Sequence, residues 1–259
     1  SDAAQAIARS LLGGERKAVL LGNGAAHHAQ AAQLLALANW IADNTGATVG
    51  YLTEAANTVG AQFAGAHPVN GGLNAAQMLS GGLTAAVLLN TEPVYDSAAG
   101  AQAATALAGA EMVVTLSPFK ANMEFSDVLL PIAPFTETSG SFVNAEGRLQ
   151  SFHAVVRPLG ETRPAWKVLR VLANLLGVPG FDFETSQDVV ARATNAPAGS
   201  VTQLPAAQLS NAVKTVSAAA AVVGEPVVAS IYQLDGLVRR STSLQLTADA
   251  RMAREGVAA

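Results

Sequence analysis

Five short apolar runs that alternate with helix-like stretches place the strongest constraint on the fold of this chain. The runs cover residues 17–24, 47–52, 84–90, 112–118 and 127–132. Apolar residues recur at helical spacing between them, notably over residues 25–43 and 95–108. Strands that are apolar on both faces and alternate with helices are typical of a mostly parallel sheet with helices on both sides. The sequence therefore predicts a doubly wound α/β fold.

A second region of the chain is less regular. Residues 60–82 are rich in Gly, Asn and Pro and predict a long irregular connection. Residues 164–176 predict an amphipathic helix, with Pro164 in its first turn and Gly177 just past its end. We predict an α/β domain with a β-hairpin over residues 1–196. We expect residues 197–259 to form a C-terminal extension that contains a linker, an Ala-rich helix and a tail that packs against something else.

The composition leaves two interpretations of the surface open. Only 13% of the 259 residues are charged and 50% are hydrophobic, whereas about 25% of residues are charged in typical soluble domains. Small apolar side chains could simply occupy exposed positions at little cost. Alternatively, part of the exterior is an interface, because large apolar patches on monomers usually mark contacts.

Charge and cysteine content exclude several classes of function. The net charge is −4 and the 15 Lys and Arg residues are spread along the chain, so no basic surface for nucleic acid is predicted. The absence of cysteine excludes a disulfide framework, a thiolate zinc site and a cysteine-ligated iron–sulfur cluster within these residues. The longest Ala/Val-rich stretch, residues 216–223, is much shorter than the ~20 residues that span a bilayer.

A glycine pair follows the first predicted strand. Gly22 and Gly24 are typical of a loop that approaches a pyrophosphate at a helix N-terminus. The third position of that motif is His27, Asp43 lies inside the predicted helix, and Glu54 comes only after the second strand. The pattern favours an ordinary strand–helix turn, with an NAD-binding dehydrogenase domain as the weaker alternative.

The four histidines do not predict a metal site. His27 and His28 are neighbours and would point in different directions from a helix, while His67 precedes a proline and His153 stands alone. No G-x-S-x-G nucleophile motif is present. The sequence therefore predicts no metal-ligating residue and no catalytic nucleophile in this chain.

A β-hairpin is predicted over residues 141–152, which read SFVNAEGRLQSF. Asn144 at the first and Gly147 at the fourth position suit a type I turn in which Gly147 takes a positive φ. Polar residues cluster around this turn: Glu137, Asn144, Glu146, Arg148 and Gln150. They either pair with one another and with loop amides to anchor the hairpin, or face a polyanionic or heteroaromatic cofactor.

This stretch resembles the molybdopterin oxidoreductase superfamily. The signature D-V-L-L-P followed by E-x-x-G-[ST]-x-x-N-x-E-G-R-x-Q is matched by residues 127–131 and by Glu137, Gly140, Ser141, Asn144, Glu146, Gly147, Arg148 and Gln150. Within the superfamily, residues 129–148 and 160–177 look most like the C-terminal part of the large iron–sulfur subunit of bacterial NADH:quinone oxidoreductase, respiratory complex I. The tail, residues 231–251, is similar to the end of that protein.

The resemblance carries functional expectations. The large iron–sulfur subunit of complex I holds its clusters in an N-terminal region that has no counterpart here, and its molybdopterin-enzyme-like part serves as a scaffold without a pterin. The resemblance therefore implies a non-catalytic domain without a cofactor, which binds the iron–sulfur region and other complex I subunits on the cytoplasmic side of the bacterial inner membrane. The alternative is a fragment of a molybdopterin-dependent oxidoreductase, with Glu137, Asn144 and Arg148 near a pterin guanine dinucleotide.

Overall fold

The computed structural model describes residues 1–28, 30–209 and 230–255. The described residues form two compact units. Unit 1 comprises Ser1–Phe63, Val143–Arg148 and residues 203–209, and unit 2 comprises Ala64–Phe142, Leu149–Thr202 and residues 230–255. The Ala-rich stretch 216–223 and the helix predicted around it lie outside the described residues. The predicted domain boundary between residues 196 and 197 stays a prediction.

Unit 1 contains a two-stranded parallel sheet with four helices. The elements are α1 (Asp2–Gly13), β1 (Ala18–Leu21), α2 (Asn23–Ala26), α3 (Ala31–Thr45), β2 (Thr48–Tyr51) and α4 (Thr58–Phe63). In the sheet, Ala18 lies opposite Thr48 and Leu21 opposite Tyr51. Helix α3 ends at Gly46, whose φ of 72° is the left-handed conformation that glycine adopts readily.

The helix predicted over residues 25–43 is broken in the structure. Helix α2 ends at Ala26 and α3 begins at Ala31. Between them, the Nδ1 of His28 accepts the N–H of Gln30 at 3.0 Å. Local hydrogen bonds of this kind compete with the helical pattern, so the histidine pair marks the break rather than the interior of a helix.

Unit 2 is built on a three-stranded parallel sheet. Its first part contains α5 (Ala75–Met78), β3 (Ala85–Leu89), α6 (Pro93–Asp96), α7 (Ala101–Ala108), β4 (Met112–Ser117) and β5 (Val128–Pro131). The strand order is β3-β4-β5. The central strand β4 is the most buried, and Val113 packs with Leu107 and Phe125 in the core of the unit. The buried Thr115 hydroxyl is 2.7 Å from the Ser126 hydroxyl, which satisfies its polar group.

The α/β class predicted from the sequence is confirmed, since all five predicted strands are present and pair in parallel. They lie in two separate sheets of the described residues rather than in one. Burial is also less complete than an all-apolar strand pattern predicts. On β3, Val87 and Leu89 keep 55% and 45% of their surface exposed, so this edge of the sheet presents apolar side chains.

The remainder of unit 2 is a hairpin followed by helices. Strands β6 (Gly140–Val143) and β7 (Leu149–Phe152) pair with each other, and the hairpin continues into unit 1 at its turn. Helices α8 (Ala165–Leu175), α9 (Ser186–Thr194), α10 (Ile231–Leu234), α11 (Thr242–Gln245) and α12 (Ala248–Glu255) follow.

Helix α8 is the amphipathic helix that the sequence predicts. It starts directly after Pro164, which is its N-cap, and Gly177 beyond its end has a φ of 70°. At the C-terminal end of its apolar face, Leu175 and Leu176 are 81% and 70% exposed. That part of the face is not covered by the described residues of unit 2.

Helices α5 and α9 are among those that hydrophobic periodicity does not predict. Helix α5 lies in the stretch predicted to be irregular, and α9 follows residue 184. Both begin with a capping box, formed by Asn74 with Gln77 and by Thr185 with Asp188. This local signature was available in the sequence. Among the described residues, no helix is both long and apolar enough to cross a membrane.

Candidate functional site

The turn of the hairpin, in unit 1, is organised by the side chain of Asn144. Its Oδ1 accepts the N–H of Glu146 at 3.0 Å and the N–H of Arg148 at 2.9 Å. The N–H of Gly147 donates to the Asn144 carbonyl at 2.9 Å, and Gly147 has a φ of 81°. The predicted four-residue turn with a left-handed Gly147 is confirmed.

The same turn is packed against residues 203–209. The Leu204 N–H donates to the Gly147 carbonyl at 2.8 Å, and Gln203 Nε2 donates to the Glu146 carbonyl at 2.6 Å. A Cβ at position 147 would contact the Leu209 side chain and lie 3.0 Å from Gln203 Nε2. The left-handed φ favours glycine at position 147, and a larger residue would also have to displace the ends of the Leu209 and Gln203 side chains.

Glu137, in unit 2, lies where the sequence places it, in a 3₁₀ turn (Phe135–Glu137) after the carboxyl end of β5. Its carboxylate accepts the N–H of Leu159 at 2.9 Å. The Val155 N–H donates to the carbonyl of Thr136 at 2.9 Å. Glu137 thus anchors the loop that follows β7. This contact supports the interpretation in which Glu137 stabilises the fold instead of facing a cofactor.

The rest of the polar cluster behaves differently from Glu137 and Asn144. The side chains of Glu146, Arg148 and Gln150 are exposed. In the part of the chain that the structure describes, Arg148 forms no ion pair with either glutamate. Of the structural interpretation, the hydrogen bond between a carboxylate and a loop amide is present at Glu137. The pairing of the carboxylates with Arg148 is not found among the described residues.

A depression of about 600 Å³ surrounds Glu137 within unit 2. We call it the Glu137 depression and define it by its charged lining residues, Glu137, Arg157, Arg163, Lys167 and Glu184. The loop after β7 supplies the two arginines, the first turn of α8 supplies Lys167, and Glu184 lies just before α9. Sequence reasoning missed the three cations, although the repeated Arg-Pro pairs at 157–158 and 163–164 were a visible signal.

The cations of the Glu137 depression are only partly engaged by protein groups. Arg163 donates to the Thr162 carbonyl at 2.8 Å and lies 3.7 Å from the exposed Glu161 carboxylate. Lys167 Nζ lies 5.3 Å from the centre of the Trp166 ring, within cation–π range. Arg157 is exposed and has no hydrogen-bond or ion-pair partner among the described residues. The positive groups exceed the carboxylates, so this lining favours an anion.

The start of α9 adds further polar groups to the depression. Thr185 Oγ1 accepts the Asp188 N–H at 3.1 Å, and Asp188 Oδ2 accepts the N–H groups of Thr185 at 2.8 Å and Glu184 at 3.0 Å. These hydrogen bonds, chiefly that from the Thr185 N–H, lower the pKa of Asp188 below the ordinary value of an aspartate. The amides at this helix start are therefore already occupied by a side chain of the protein.

The glycine loop in unit 1 has a different environment. A Cβ on Gly22 or Gly24 would meet no atom within 4 Å, so space is available beside the loop. At the third motif position, His27 Nε2 lies 3.0 Å from the Glu54 carboxylate. The pair joins the loop after β1 to the segment after β2. No group of three metal-ligating side chains occurs in residues 1–28, 30–209 and 230–255.

Comparison with known proteins places this architecture in a family. Residues 2–175 match the molybdopterin oxidoreductase family. The probable oxidoreductase YjgC of Bacillus subtilis (strain 168) is 41% identical over 70 residues, which are 27% of this chain and 7% of that protein. Putative formate dehydrogenases of Staphylococcus aureus strains bovine RF122 / ET3-1 and USA300 are 40% and 39% identical over 80 residues, 29% of this chain and 8% of theirs.

The aligned part of the chain spans less than a tenth of the length of these relatives. The family match, in contrast, covers most of both strand-bearing regions and the hairpin with Glu137, Asn144 and Gly147. This chain belongs to the molybdopterin oxidoreductase family.

Proposed function

We propose that this chain is a section of a molybdopterin-dependent oxidoreductase. The observation that carries the proposal is the family match over residues 2–175, which includes the α/β sheets and the hairpin. The similar proteins named as oxidoreductases and putative formate dehydrogenases support a redox reaction on a small substrate. A pterin-bound molybdenum ion would supply the two-electron chemistry.

The glycine loop of unit 1 does not fit the pyrophosphate of a pterin dinucleotide. It has room beside Gly22 and Gly24, but α2 has only four residues and ends at the His27–Glu54 pair. A phosphate at a helix N-terminus is stabilised by the free N–H groups and the dipole of that helix, and α2 supplies only a single turn. The carboxylate of Glu54 instead places negative charge close to this position.

The Glu137 depression fits an anionic part of the cofactor better. Arg157 and Lys167 are exposed cations that can donate hydrogen bonds to phosphate oxygens, and arginine can do so with two N–H groups at once. The Trp166 ring offers an aromatic surface at the same place. In this proposal Arg157 and Lys167 bind the anion, Glu137 fixes the loop through the Leu159 amide, and Arg163 is a secondary contact.

The experiment measures molybdenum and pterin in the protein expressed at its natural length. Wild type should contain both in stoichiometric amounts, detected by metal analysis and by the fluorescent oxidation product of the pterin. A double variant, Arg157→Gln with Lys167→Gln, should retain at least tenfold less cofactor, because each lost charge-assisted hydrogen bond costs about 1.5–3 kcal/mol.

Arg251→Gln is the matched control, because Arg251 is an exposed arginine of unit 2 that does not line the depression. It should keep the wild-type cofactor content. Equal cofactor content in the double variant would exclude the depression as the contact. Absence of molybdenum and pterin from the wild-type protein would contradict the proposed function itself.

A second candidate is the scaffold domain of the large iron–sulfur subunit of respiratory complex I, without a cofactor and in contact with other subunits. One structural observation favours it. The side-chain oxygens of Glu137 and Asn144, two residues of the family signature, accept backbone N–H groups of this chain and so serve the fold. Exposed apolar side chains such as Leu175 and Leu176 are available for neighbours. Co-purification of NADH:quinone oxidoreductase subunits, with no pterin, would support this candidate over the enzyme section.

A further inference from the structure

Acidic and aromatic side chains line the carboxyl-end edge of the sheet in unit 2. Glu92, Tyr95 and Asp96 follow β3 directly, and Phe119 follows β4. Since β3 and β4 are parallel, their carboxyl ends meet at one edge of the sheet. We call this set of four residues the arginine crevice. In open α/β sheets this edge is where nucleotides usually bind.

The C-terminal segment, residues 230–255, has its own compact structure within unit 2. Gln245 Nε2 donates to the carbonyls of Tyr232 and Val238, each at 3.0 Å. Asp235 Oδ1 accepts the N–H groups of Leu237 at 2.9 Å and Val238 at 2.8 Å. These bonds hold the turn that carries Arg239 and Arg240.

Both arginines are seated in the arginine crevice. Arg239 Nη2 donates to Asp96 Oδ1 at 3.0 Å, and Arg240 Nη1 lies 2.8 Å from Glu92 Oε1. The guanidinium carbons lie 4.6 Å from the Tyr95 ring centre for Arg239 and 4.1 Å from the Phe119 ring centre for Arg240. Each arginine therefore combines an ion pair with a cation–π contact.

Burial shows that this contact differs from ordinary surface ion pairs. The side chains of Arg239 and Glu92 are only 11% and 13% exposed, whereas those of the Arg163–Glu161 pair are 56% and 94% exposed. Arg239 Nη2 also donates to the Leu234 carbonyl at 3.1 Å. Removing one member of a buried ion pair leaves an uncompensated buried charge. Separating Arg239 from its carboxylates is therefore strongly unfavourable.

The hydrogen-bond donors that follow β3 are already used by a carboxylate of the chain. Asp96 Oδ2 accepts the Glu92 N–H at 2.7 Å and the Thr91 hydroxyl at 3.2 Å. These are the backbone and side-chain donors that a phosphate after β3 would need. An anionic ligand would also meet two carboxylates, and Arg239 and Arg240 are committed to them.

We infer that the carboxyl-end edge of this sheet recognises a peptide with paired arginines, and that the chain's own Arg239 and Arg240 fill it. The edge does not bind a nucleotide phosphate. The Glu137 depression is lined by other residues. Cofactor content and occupancy of the arginine crevice can therefore be measured independently of each other.

Hydrogen exchange of the 259-residue chain tests this inference. In the double variant Arg239→Ala with Arg240→Ala, amides of residues 90–96 and 231–245 should exchange on the order of tenfold faster or more than in wild type. Arg251→Ala is the matched control, an exposed arginine of the same segment, and should leave both sets unchanged. If the amides of residues 90–96 and 231–245 exchanged as slowly in the double variant as in wild type, the inference would be overturned.

A charge exchange separates loss of the contact from loss of folding. Glu92→Arg alone should release the C-terminal segment, and Glu92→Arg with Arg240→Glu should restore protection of residues 231–245. No recovery in the exchanged pair would count against direct recognition. The control Glu92→Arg with Arg251→Glu should fail to restore it.

Recognition in trans uses a fluorescent peptide with the sequence of residues 230–247. The double variant should bind this peptide more tightly than wild type does, and a peptide with alanine at both arginine positions should not bind. Failure of the released crevice to bind the arginine peptide would overturn the inference. Protection of residues 90–96 in wild type by millimolar GDP would do the same, because it would show a nucleotide at this edge.

Discussion

Replacing Gly147 by alanine should destabilise unit 1 through two separable effects. The φ of 81° is unfavourable for alanine by about 1–2 kcal/mol. The added Cβ would also contact Leu209 and lie 3.0 Å from Gln203 Nε2, and overpacking costs about 1–3 kcal/mol. The expected loss in the free energy of unfolding is therefore about 2–5 kcal/mol, a large part of a typical stability of about 5–15 kcal/mol.

Two glycines of the same unit provide controls. Gly46 has a φ of 72° but its added Cβ would have only Lys17 Cε at 3.8 Å, so Gly46→Ala should lose about 1–2 kcal/mol from backbone conformation alone. Gly13 ends α1, and a Cβ there meets no atom within 4 Å. Gly13→Ala should be neutral or stabilising by up to about 1 kcal/mol.

Urea unfolding followed by tryptophan fluorescence measures these differences. The chain has two tryptophans; Trp40 lies in α3 of unit 1, so a Trp166→Phe background leaves a probe of that unit alone. Linear extrapolation gives the free energy for each variant. If Gly147→Ala and Gly46→Ala agreed within about 0.5 kcal/mol, the packing of residues 203–209 on the turn would be refuted.

Two further predictions concern side-chain oxygens that accept backbone N–H groups. Asn144→Ala should lower the free energy of unfolding by about 1–2 kcal/mol in the same urea assay, because two hydrogen bonds are lost. The control Glu146→Ala, at an exposed position, should stay within about 0.5 kcal/mol of wild type. Equal values for the two variants would refute the role of Asn144. The lowered pKa of Asp188 means that its carboxylate stabilises α9 fully above about pH 3.9 and that this stabilisation is lost as the pH falls through the folded-state pKa. Carboxyl NMR titration should place the pKa of Asp188 below that of an unfolded aspartate, about 3.9, and move it upward in Thr185→Ala. A wild-type pKa at or above that of an unfolded aspartate would contradict the capping geometry.

The strands and the hairpin turn were predictable because short-range patterns determine them. Residues 112–118 and 127–132 form apolar runs bounded by polar or turn residues, and Asn144 and Gly147 have conformational preferences that act within four positions. The capping boxes at Asn74 and Thr185 were equally local. They went unrecognised because α5 and α9 are too short to show a clear helical period.

The contacts between distant parts of the sequence were not predictable. The engagement of Glu137 with the Leu159 amide and of Glu92 with Arg240 depends on chain separations of 22 and 148 residues. No pattern in a single sequence encodes which of several carboxylates meets a given arginine. The predicted pairing of Arg148 with nearby glutamates failed for this reason, since proximity along the chain does not fix side-chain direction.

The structure explains part of the apolar composition. The exposed apolar residues are not limited to small side chains; they include Val87 and Leu89 on β3 and Leu175 and Leu176 at the end of α8. This favours the interpretation of the surface as an interface, which larger neighbouring segments or subunits would cover.

A cryo-EM structure of the protein at its natural length, purified with whatever cofactor it binds, would test both the proposed cofactor contact and the arginine crevice. We expect density for a pterin dinucleotide whose anionic part contacts Arg157 and Lys167, with Arg239 and Arg240 still seated against Asp96 and Glu92. Cofactor density at the carboxyl ends of β3 and β4, with the C-terminal segment displaced, would contradict this expectation.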